Sequence, residues 1–241
     1  EDCLVIGNGS NLLVRDGGIR GLVLRISSAM SAIRRVGDDL VAEAGAPLGA
    51  IAAFARDEGL CGVAELAGIP GTVGGGVVMN AGAYGGELKD AITEVTALYP
   101  DGVRTLAPAQ LDLSYRHSVF SAGEGIVLGA KLRLQKGEGE AIKAKMDDLM
   151  ARRKTSQPLE LPSAGSTFKR PAGYFAGALI EGCGLKGCRV GGAEVSSKHA
   201  GFVVNVGGAT CADVLALIGK VQKTVYDAHG VMLEPEVKII R

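Results

Sequence analysis

Val5-Ile6-Gly7-Asn8-Gly9-Ser10-Asn11-Leu12-Leu13, near the start of this 241-residue chain, decides whether the sequence can begin with a Rossmann domain. Residues 2–6 predict a buried strand, and in a Rossmann domain the glycines that follow such a strand open a helix. Here the apolar segments 12–14 and 22–26 follow instead, separated by a glycine turn. Such segments predict strands. The loop therefore joins strand to strand, and a nicotinamide-type Rossmann domain is disfavoured.

A second glycine-rich stretch lies in the middle of the chain. It reads Gly68-Ile69-Pro70-Gly71-Thr72-Val73-Gly74-Gly75-Gly76, and Asn80-Ala81-Gly82-Ala83-Tyr84-Gly85 follows it. Backbone amides without side chains can form a concave anion site, which would suit a pyrophosphate. Tight turns are an equally good interpretation, so composition alone leaves both open.

Three polar stretches carry the candidate chemistry. They are Ser114-Tyr115-Arg116-His117-Ser118, Gly165-Ser166-Thr167-Phe168-Lys169-Arg170-Pro171 and Leu233-Glu234-Pro235-Glu236-Val237. A serine hydroxyl can exchange a proton, and an arginine can hold a carboxylate with two hydrogen bonds. Local sequence alone favours ordinary roles: a turn at Ser166, a surface Arg116, and a solvent-facing Glu236 at the start of a strand.

Taken together and in this order, the stretches closely resemble the UDP-N-acetylenolpyruvoylglucosamine reductase family, the MurB flavoenzymes of peptidoglycan synthesis. The resemblance runs from residue 4 to residue 241. It implies an α+β fold in which a two-lobed FAD-binding domain of the vanillyl-alcohol-oxidase/MurB type is followed by a smaller substrate-binding domain. We place the first domain at 1–156, with lobes of about 1–26 and 27–156, and the MurB C-terminal domain at 157–241.

The chain differs from the longer members of the family in two features. The stretch 133–165 is short, so the sequence resembles the family's shorter type, which lacks an extra insertion. Family members also carry a further N-terminal segment that completes the first lobe. We therefore expect the natural chain to begin upstream of residue 1.

The resemblance also implies the site residues. Catalysis is assigned to Arg116 at the substrate carboxylate, Glu236 as the catalytic carboxylate and Ser166 as the general acid. FAD is assigned to the residues of the two glycine loops: Gly7, Asn8, Gly9, Ser10, Asn11, Pro70, Gly71, Thr72, Gly74, Gly75, Asn80, Ala81 and Gly82. Substrate contacts are assigned to Tyr115, Lys154, Lys169, Arg170 and Tyr174. No metal ligands are implied.

The implied activity is reduction of UDP-N-acetylglucosamine enolpyruvate to UDP-N-acetylmuramate. NADPH is the co-substrate, a hydride passes through FAD, and Ser166 then protonates an enolate-like intermediate. We expect a cytoplasmic enzyme with no signal peptide and no obligate protein partner. Two other functions stay open: an alcohol oxidase of the same flavin fold, often with flavin tethered to a histidine, and a non-catalytic UDP-sugar-binding protein.

The overall charge of the chain gives no indication of a nucleic-acid or membrane partner. The formal net charge is zero, so global charge does not indicate nucleic-acid or membrane-surface binding. Five scattered cysteines predict reduced cytosolic thiols. Cys183 and Cys188 could form half of a metal site or flank a turn, and we favour the turn because no second pair has zinc spacing.

Periodicity and turn residues predict the main local elements. Helices are expected at 48–55, 138–154 and 210–229, the last capped by Thr210 with Asp213. In the second helix Ile142, Met146, Leu149 and Met150 share one face, which predicts that this face is buried. Pro100-Asp101-Gly102 predicts the turn of a hairpin.

Overall fold

A computed structural model describes residues 3–240. Asp2, predicted to begin the first strand, and the terminal Arg241 lie outside the described residues. The chain forms two compact units. Unit 1 contains the described residues up to Gly9 together with Gly21–Arg152, and unit 2 contains Ser10–Arg20 together with the described residues from Arg153 onward.

The strands and helices within residues 3–240 are numbered in chain order. The strands are β1 Cys3–Ile6, β2 Leu12–Val14, β3 Leu22–Arg25, β4 Ile33–Val36, β5 Asp39–Glu43, β6 Leu60–Cys61, β7 Gly82–Ala83, β8 Gly86–Glu87, β9 Ile92–Tyr99, β10 Gly102–Leu106, β11 Ile126–Arg133, β12 Gln135–Lys136, β13 Ser163–Ser166, β14 Arg189–Val190, β15 Ala193–Val195, β16 Phe202–Asn205 and β17 Lys238–Ile240. The α-helices are α1 Leu48–Asp57, α2 Val73–Val78, α3 Gly139–Ser156, α4 Ala176–Gly182 and α5 Cys211–His229. Short 3₁₀ helices lie at Ser28–Met30, Ala64–Leu66, Leu88–Asp90, Pro108–Gln110 and Val119–Ala122.

Unit 1 is built on a five-stranded antiparallel sheet in the order β10-β9-β11-β5-β4. Its core buries Leu40 and Leu132 from the sheet with Ile51 from α1 and Val77 from α2. The hairpin predicted at residues 100–102 is confirmed, because β9 and β10 pair with Gly102 opposite Tyr99. The core packing fixes α2, the short glycine-rich helix that leads to the candidate flavin loops.

The strand predicted at residues 2–6 is confirmed as β1, but its predicted burial is wrong. Cys3 is exposed and the rest of β1 is half-buried. The physical reason is that β1 pairs in parallel with β3, whose four residues are all exposed, as a two-stranded sheet within the described residues.

Unit 2 is built on the four-stranded antiparallel sheet β13-β16-β15-β14. Ile180 from α4 and Leu217 and Val221 from α5 belong to its core. A parallel pair, β2 with β17, matches Leu12 with Lys238. This pairing brings residues 10–20 into unit 2, although the sequence assigned them to the first FAD lobe.

The two long helices agree closely with the sequence. Helix α3 spans Gly139–Ser156 and buries Ile142 and Leu149, while Met146 and Met150 are half-buried. The boundary between the units falls inside this helix, at residues 152–153, rather than in the proline-containing stretch after residue 156. No helix within residues 3–240 combines the length and the apolar character that crossing a bilayer requires.

The N-terminus of α5 has two sets of acceptors. The predicted cap is confirmed, because Thr210 Oγ1 accepts the Asp213 amide at 3.1 Å and an Asp213 carboxylate oxygen accepts the Thr210 amide at 2.9 Å. This bonding lowers the pKa of Asp213, chiefly through the Thr210 backbone. Asp16 was not predicted to take part, yet its carboxylate accepts the Cys211 amide at 2.6 Å and the Ala212 amide at 3.1 Å. Asp16 thus ties the segment 10–20 to unit 2.

The segment between Cys183 and Cys188 forms the turn that the sequence favoured. The Gly184 amide donates to Glu181 O at 2.9 Å, and the Cys188 amide donates to Leu185 O at 3.0 Å. Both thiols are free and half-buried. Within residues 3–240, no group of three or more histidine, cysteine or acidic side chains is arranged to hold a metal ion.

Candidate active site

Residues 7–9 of the first glycine-rich loop lie beside the second loop in unit 1, whereas Ser10 and Asn11 belong to unit 2. The Asn8 amide nitrogen Nδ2 donates to Pro70 O at 2.7 Å. The Asn8 oxygen Oδ1 accepts Arg25 Nη2 at 3.1 Å. Asn8 therefore uses its side chain to join the loops, which leaves its backbone for any ligand.

The contact between Gly7 and Thr72 fits a bound anionic group. A Cβ placed on Gly7 would overlap Thr72 Oγ1 and would lie 3.8 Å from the Gly75 amide nitrogen. Thr72 is 7% exposed. Its hydroxyl is the one buried side-chain polar atom within residues 3–240 that lacks a hydrogen-bond partner. Buried polar groups are almost always paired, so an unpaired hydroxyl in a cradle without side chains fits the oxygens of a diphosphate.

Other residues of the second loop are occupied by the protein itself. The Gly74 amide donates to Ala44 O at 2.8 Å. The Ala81 amide donates to Gly76 O at 2.7 Å, and Ala81 O accepts the Leu88 amide at 2.9 Å. These bonds hold the glycine helix in place. They do not leave the Gly74 and Ala81 amides for a cofactor.

Asn80 is also fully used. Its side chain is 0% exposed. Nδ2 donates to Glu87 Oε2 at 3.0 Å and to Ser114 O at 2.9 Å, and Oδ1 accepts the Lys89 amide at 3.0 Å. Glu87 Oε2 also pairs with Lys89 Nζ at 2.7 Å, and this hydrogen bond raises the pKa of Lys89. The sequence reasoning assigned Asn80 to FAD and missed its contact with the loop that carries Arg116.

Arg116 lies at the tip of a tight turn in unit 1. The Ser114 and His117 backbones exchange hydrogen bonds at 3.2 and 3.1 Å around Tyr115 and Arg116. The Arg116 guanidinium carbon is 5.1 Å from the centre of the Tyr115 ring, and Nη2 donates to Gly82 O at 3.1 Å. Tyr115 is 43% exposed. The cation thus belongs to an organised loop and not to a free surface segment.

Four non-glycine residues of residues 3–240 have positive φ, and all lie between positions 80 and 116: Asn80, Tyr84, Asp112 and Arg116. Their φ values are +41°, +52°, +46° and +55°, respectively. Non-glycine residues persist in this region where the surrounding structure imposes it, often at functional sites. The backbone strain of unit 1 is therefore concentrated beside the candidate flavin loop and the candidate substrate arginine.

Ser166 is the last residue of β13 in unit 2, and its side chain is exposed. Ser163 pairs with Val204 and Ser166 pairs with Phe202, so β13 carries one extra residue against β16. Gly165, with φ of +81°, lies in this bulge. A bulge of this kind changes the direction of the side chain that follows it, which here is Ser166.

Thr167 anchors the residue after the candidate acid. It is 4% exposed, its amide donates to Gly201 O at 2.8 Å, and its Oγ1 accepts the Val203 amide at 2.9 Å. Ser166, directly before the buried Thr167, is itself exposed. The buried threonine was not singled out from the sequence, where it is one residue of the Gly-Ser-Thr-Phe stretch.

Glu236 lies beside this segment, but the prediction that it begins a strand is wrong. Strand β17 begins at Lys238. Pro235 instead forms an antiparallel bridge with Phe168, and the Glu236 amide donates to Thr167 O at 2.8 Å. This bridge holds residues 234–236 beside Thr167. Unit 2 thereby brings Ser166 and Glu236, two of the three predicted catalytic residues, onto adjoining backbone segments.

Asn11 contacts Glu236 as well. Its Nδ2 donates to Glu236 O at 3.3 Å, and its own carbonyl accepts the Lys238 amide at 2.9 Å. Ser10 lies directly before it in the same unit. The sequence assigned both residues to FAD, and in the structure the Asn11 amide also anchors the backbone of Glu236.

The predicted substrate cations of unit 2 already have protein contacts. Lys169 Nζ pairs with Glu234 Oε1 at 2.5 Å, and the Arg170 guanidinium carbon lies 3.9 Å from the centre of the Phe175 ring. The carbonyl of the exposed Lys154 accepts Lys198 Nζ at 2.7 Å. Tyr174 is 47% exposed. No local motif in the sequence had marked Lys198.

His199, the residue after Lys198, has an uncharged side chain. Its Nδ1 accepts the Gly201 amide at 3.0 Å, so the ring is neutral in this arrangement. Burial lowers the pKa of His199, which favours the same neutral form.

Comparison with known proteins identifies two domains in the chain. A model of an FAD-binding domain matches residues 2–106, and a model of the C-terminal domain of UDP-N-acetylenolpyruvoylglucosamine reductase matches residues 157–240. The chain is therefore an FAD-binding oxidoreductase. The predicted α+β fold, an FAD-binding domain followed by a MurB C-terminal domain, is confirmed.

Whole-chain similarity defines the family. The chain is 51% identical to UDP-N-acetylenolpyruvoylglucosamine reductase of Exiguobacterium sibiricum over 98% of this chain and 78% of that protein. It is 54% identical to the Agathobacter rectalis enzyme over 98% of this chain and 79% of that protein. The crystal structure of the reductase (MurB) from Thermus caldophilus aligns with a TM-score of 0.88 and 37% identity, over 99% of this chain and 85% of that one. The chain belongs to the UDP-N-acetylenolpyruvoylglucosamine reductase (MurB) family.

Proposed function

We propose that the protein uses NADPH to reduce the enolpyruvyl ether of UDP-N-acetylglucosamine to the lactyl ether, giving UDP-N-acetylmuramate for peptidoglycan synthesis. FAD, when bound, supplies the hydride chemistry between the nicotinamide and the vinyl carbon. UDP-sugars and NADPH are cytoplasmic metabolites, and we propose that the protein acts there. The activity of the family is thereby proposed for this chain.

The observation that carries the proposal is the bridge between residues 167–169 and 234–236. The amide of Glu236 bonds the carbonyl of Thr167, directly after Ser166. A hydroxyl and a carboxyl group on adjoining segments are the two groups needed to handle a proton and stabilise charge at one reacting centre. A non-catalytic UDP-sugar-binding protein has no need for this pair.

Ser166 is proposed as the general acid. Hydride addition to one vinyl carbon drives charge toward the substrate carboxylate, and the enolate-like product is a strong base. A serine hydroxyl is a weak acid in water, but it can give a proton to such a base when it is correctly placed. The exposed position of Ser166 after the Gly165 bulge supports this role.

Arg116 and Glu236 are proposed to stabilise the charge. The planar guanidinium of Arg116 can hold a carboxylate with two hydrogen bonds, and fixed donors aimed at developing charge are usually a large catalytic contribution. Glu236 is proposed to act as a protonated carboxyl group that donates a hydrogen bond to the developing enolate. The backbone bond of Glu236 and the anchor from Asn11 hold its segment in place.

The nucleotide part of the substrate is assigned to Lys154, Lys169 and Arg170, with Tyr115 and Tyr174 as further contacts. The pairing of Lys169 with Glu234 supplies a test of this assignment. A phosphate bound by Lys169 competes with the Glu234 carboxylate, so Glu234→Gln should strengthen binding of UDP. Unchanged UDP affinity in that variant would remove Lys169 from the phosphate site.

Flavin absorbance tests the proposed reaction. The purified protein is reconstituted with FAD, reduced anaerobically with NADPH and then mixed with the enolpyruvyl substrate. Bleaching by NADPH followed by recovery of the oxidised spectrum, with UDP-N-acetylmuramate formed in equal amount, is the expected result. Reduction by an alcohol in place of NADPH would instead indicate an oxidase, and UDP binding without FAD uptake, in protein that includes the expected upstream segment, would indicate a binding protein.

A further inference from the structure

The backbone conformation of Arg116 has to be imposed by its surroundings. Its φ is +55°. The two hydrogen bonds between Ser114 and His117 close a turn with only Tyr115 and Arg116 between them. A non-glycine residue is retained in such a conformation where neighbouring contacts over-determine it.

The Asn80 carboxamide contacts this turn at its base. Nδ2 donates to Ser114 O at 2.9 Å, and the same carbonyl accepts the His117 amide that closes the turn at 3.1 Å. The other Nδ2 hydrogen points to Glu87 Oε2 at 3.0 Å. A primary amide has two N–H groups, so both donors of Asn80 are engaged within unit 1.

The segment around Asn80 also holds the turn at two further points. Gly82 O accepts Arg116 Nη2 at 3.1 Å. Val78 O accepts the hydroxyl of Ser118 at 2.8 Å, and Ser118 is 0% exposed. Residues 78–82 thus contact the turn before, at and after Arg116.

The position of Gly82 O is itself tightly defined. Gly82 pairs with Glu87 in the β7–β8 hairpin. A Cβ on Gly82 would lie 2.6 Å from Gly86 O, so a side chain cannot be added without moving the hairpin. The acceptor for the guanidinium is therefore part of a close backbone packing.

We propose that Asn80 is a positioning residue for Arg116, and that it acts through the Ser114 carbonyl rather than by touching the flavin. The inference rests on the proposed role of Arg116 at the substrate carboxylate. It replaces the flavin contact that the sequence assigned to Asn80. Displacing a binding group by about 1 Å can cost as much as 100-fold in rate, so the carboxamide should be as sensitive as a direct substrate contact.

Asn80→Asp is the sharpest perturbation. It keeps the size of the side chain but replaces two N–H donors with an oxygen that faces Ser114 O and the Glu87 carboxylate. The expected result is a loss of roughly 10- to 100-fold in the rate of flavin reoxidation by the enolpyruvyl substrate. FAD affinity and the rate of flavin reduction by NADPH should stay unchanged. Loss of FAD affinity with normal reoxidation of the bound flavin would overturn the inference.

The matched control is Asp39→Asn, the reverse exchange in the same unit. Asp39 is 7% exposed and its carboxylate accepts Arg133 Nε at 2.8 Å. This variant also disrupts a buried polar contact, but in the five-stranded sheet. It should lower stability and leave both half-reactions unchanged. Equal loss of reoxidation in both variants would show that Asn80→Asp acts through general destabilisation.

A double-mutant cycle tests whether Asn80 acts through the arginine. In an Arg116→Ala background, Asn80→Asp should change the reoxidation rate by no more than about twofold, since its effect needs the guanidinium. A full 10- to 100-fold effect in that background would overturn the inference. Normal reoxidation in Arg116→Ala alone would instead refute the proposed function of Arg116.

Hydrogen exchange at the His117 amide gives a readout independent of activity. This amide bonds the same Ser114 carbonyl that Asn80 holds. Its exchange should become at least about tenfold faster in Asn80→Asp and stay unchanged in Asp39→Asn. Asn80→Gly, which accommodates the positive φ without strain, serves for the same measurement if the aspartate variant does not fold. Unchanged protection of His117 in a folded Asn80 variant would overturn the inference whatever the role of Arg116.

Discussion

Thr72→Ala should weaken FAD binding without weakening the fold. The Thr72 hydroxyl is buried and has no hydrogen-bond partner within residues 3–240. Its methyl-bearing Cβ is 3.6 Å from the position of a Cβ on Gly7, which is an ordinary contact distance. The hydroxyl therefore contributes no hydrogen bond to the fold within the described residues.

Two free energies set the expected magnitude. Leaving a hydroxyl buried and unpaired costs about 1–3 kcal/mol, and its removal leaves a gap of roughly one oxygen atom. The flavin-free variant should thus have a free energy of unfolding between unchanged and about 2 kcal/mol higher. A hydrogen bond to a charged group contributes about 1.5–3 kcal/mol, so loss of one bond to the flavin diphosphate should weaken FAD binding roughly 10- to 150-fold.

The assay measures both quantities on the same preparation. Urea unfolding of flavin-free protein gives the stability, and quenching of FAD fluorescence gives the dissociation constant. Thr72→Ser keeps the hydroxyl and is the control, which should bind FAD nearly as the unaltered protein does. Unaltered FAD affinity in Thr72→Ala, or a flavin-free variant destabilised by more than about 1 kcal/mol, would refute the reasoning.

The remaining predictions concern the cradle glycine, the catalytic residues and an ion pair. Gly7→Ala should destabilise the fold as well as abolish FAD binding because its Cβ overlaps Thr72 Oγ1, and combining it with Thr72→Ala should recover the stability, as thermal unfolding would show. Ser166→Ala should be reduced by NADPH normally but reoxidised by substrate about 10²–10⁴-fold more slowly, with partial recovery in Ser166→Cys, measured by stopped-flow absorbance. Arg116→Lys should lower turnover strongly with flavin reduction little changed, because lysine lacks the two-pronged geometry. The Arg133 hydrogen bond lowers the pKa of Asp39, so ionised Asp39 stabilises the protein above about pH 4 and this contribution is lost as pH falls further. Asp39→Asn should accordingly flatten the acid limb of stability against pH.

For each of these four predictions, one result would contradict the reasoning. A double variant at Gly7 and Thr72 that stays as unstable as Gly7→Ala would mean that the overlap is not with the hydroxyl. Wild-type reoxidation in Ser166→Ala would leave Glu236 or a water molecule as the proton donor. If both half-reactions of Arg116→Lys keep the rates of the unaltered protein, Arg116 does not contact the substrate carboxylate. An identical acid limb in Asp39→Asn would mean that other carboxylates control acid unfolding.

Local signals in the sequence predicted the long elements well. Helix α5 was predictable because Thr210 and Asp213 stand at the spacing of a capping box and Gly230 ends the apolar pattern. The β9–β10 hairpin was predictable because Pro100, Asp101 and Gly102 are turn residues with strand formers on both sides. In each case the determining contacts lie within a few residues along the chain.

Such local signals could not predict which distant segments of the chain pair with each other. Nothing local shows that Asp16 accepts two amides of α5, or that β2 belongs with β17. The sequence therefore placed residues 10–20 in the first lobe and began the last strand too early, at Glu236. Of the candidate site, the residue types were recognisable from motifs, but the role of Asn80 depends on where Ser114 lies in space.

The contact between Asn11 and Glu236 joins residues that are 225 positions apart in the chain. Translation produces the glycine loops well before the strand that carries residues 238–240. A growing chain can therefore fold the five-stranded sheet of unit 1 long before Glu236 has been synthesised. Closing so long a loop is slow, although each doubling of its length adds only about 0.6 kcal/mol of entropic cost. The candidate carboxylate Glu236 can therefore take its place only after this later segment has been synthesised.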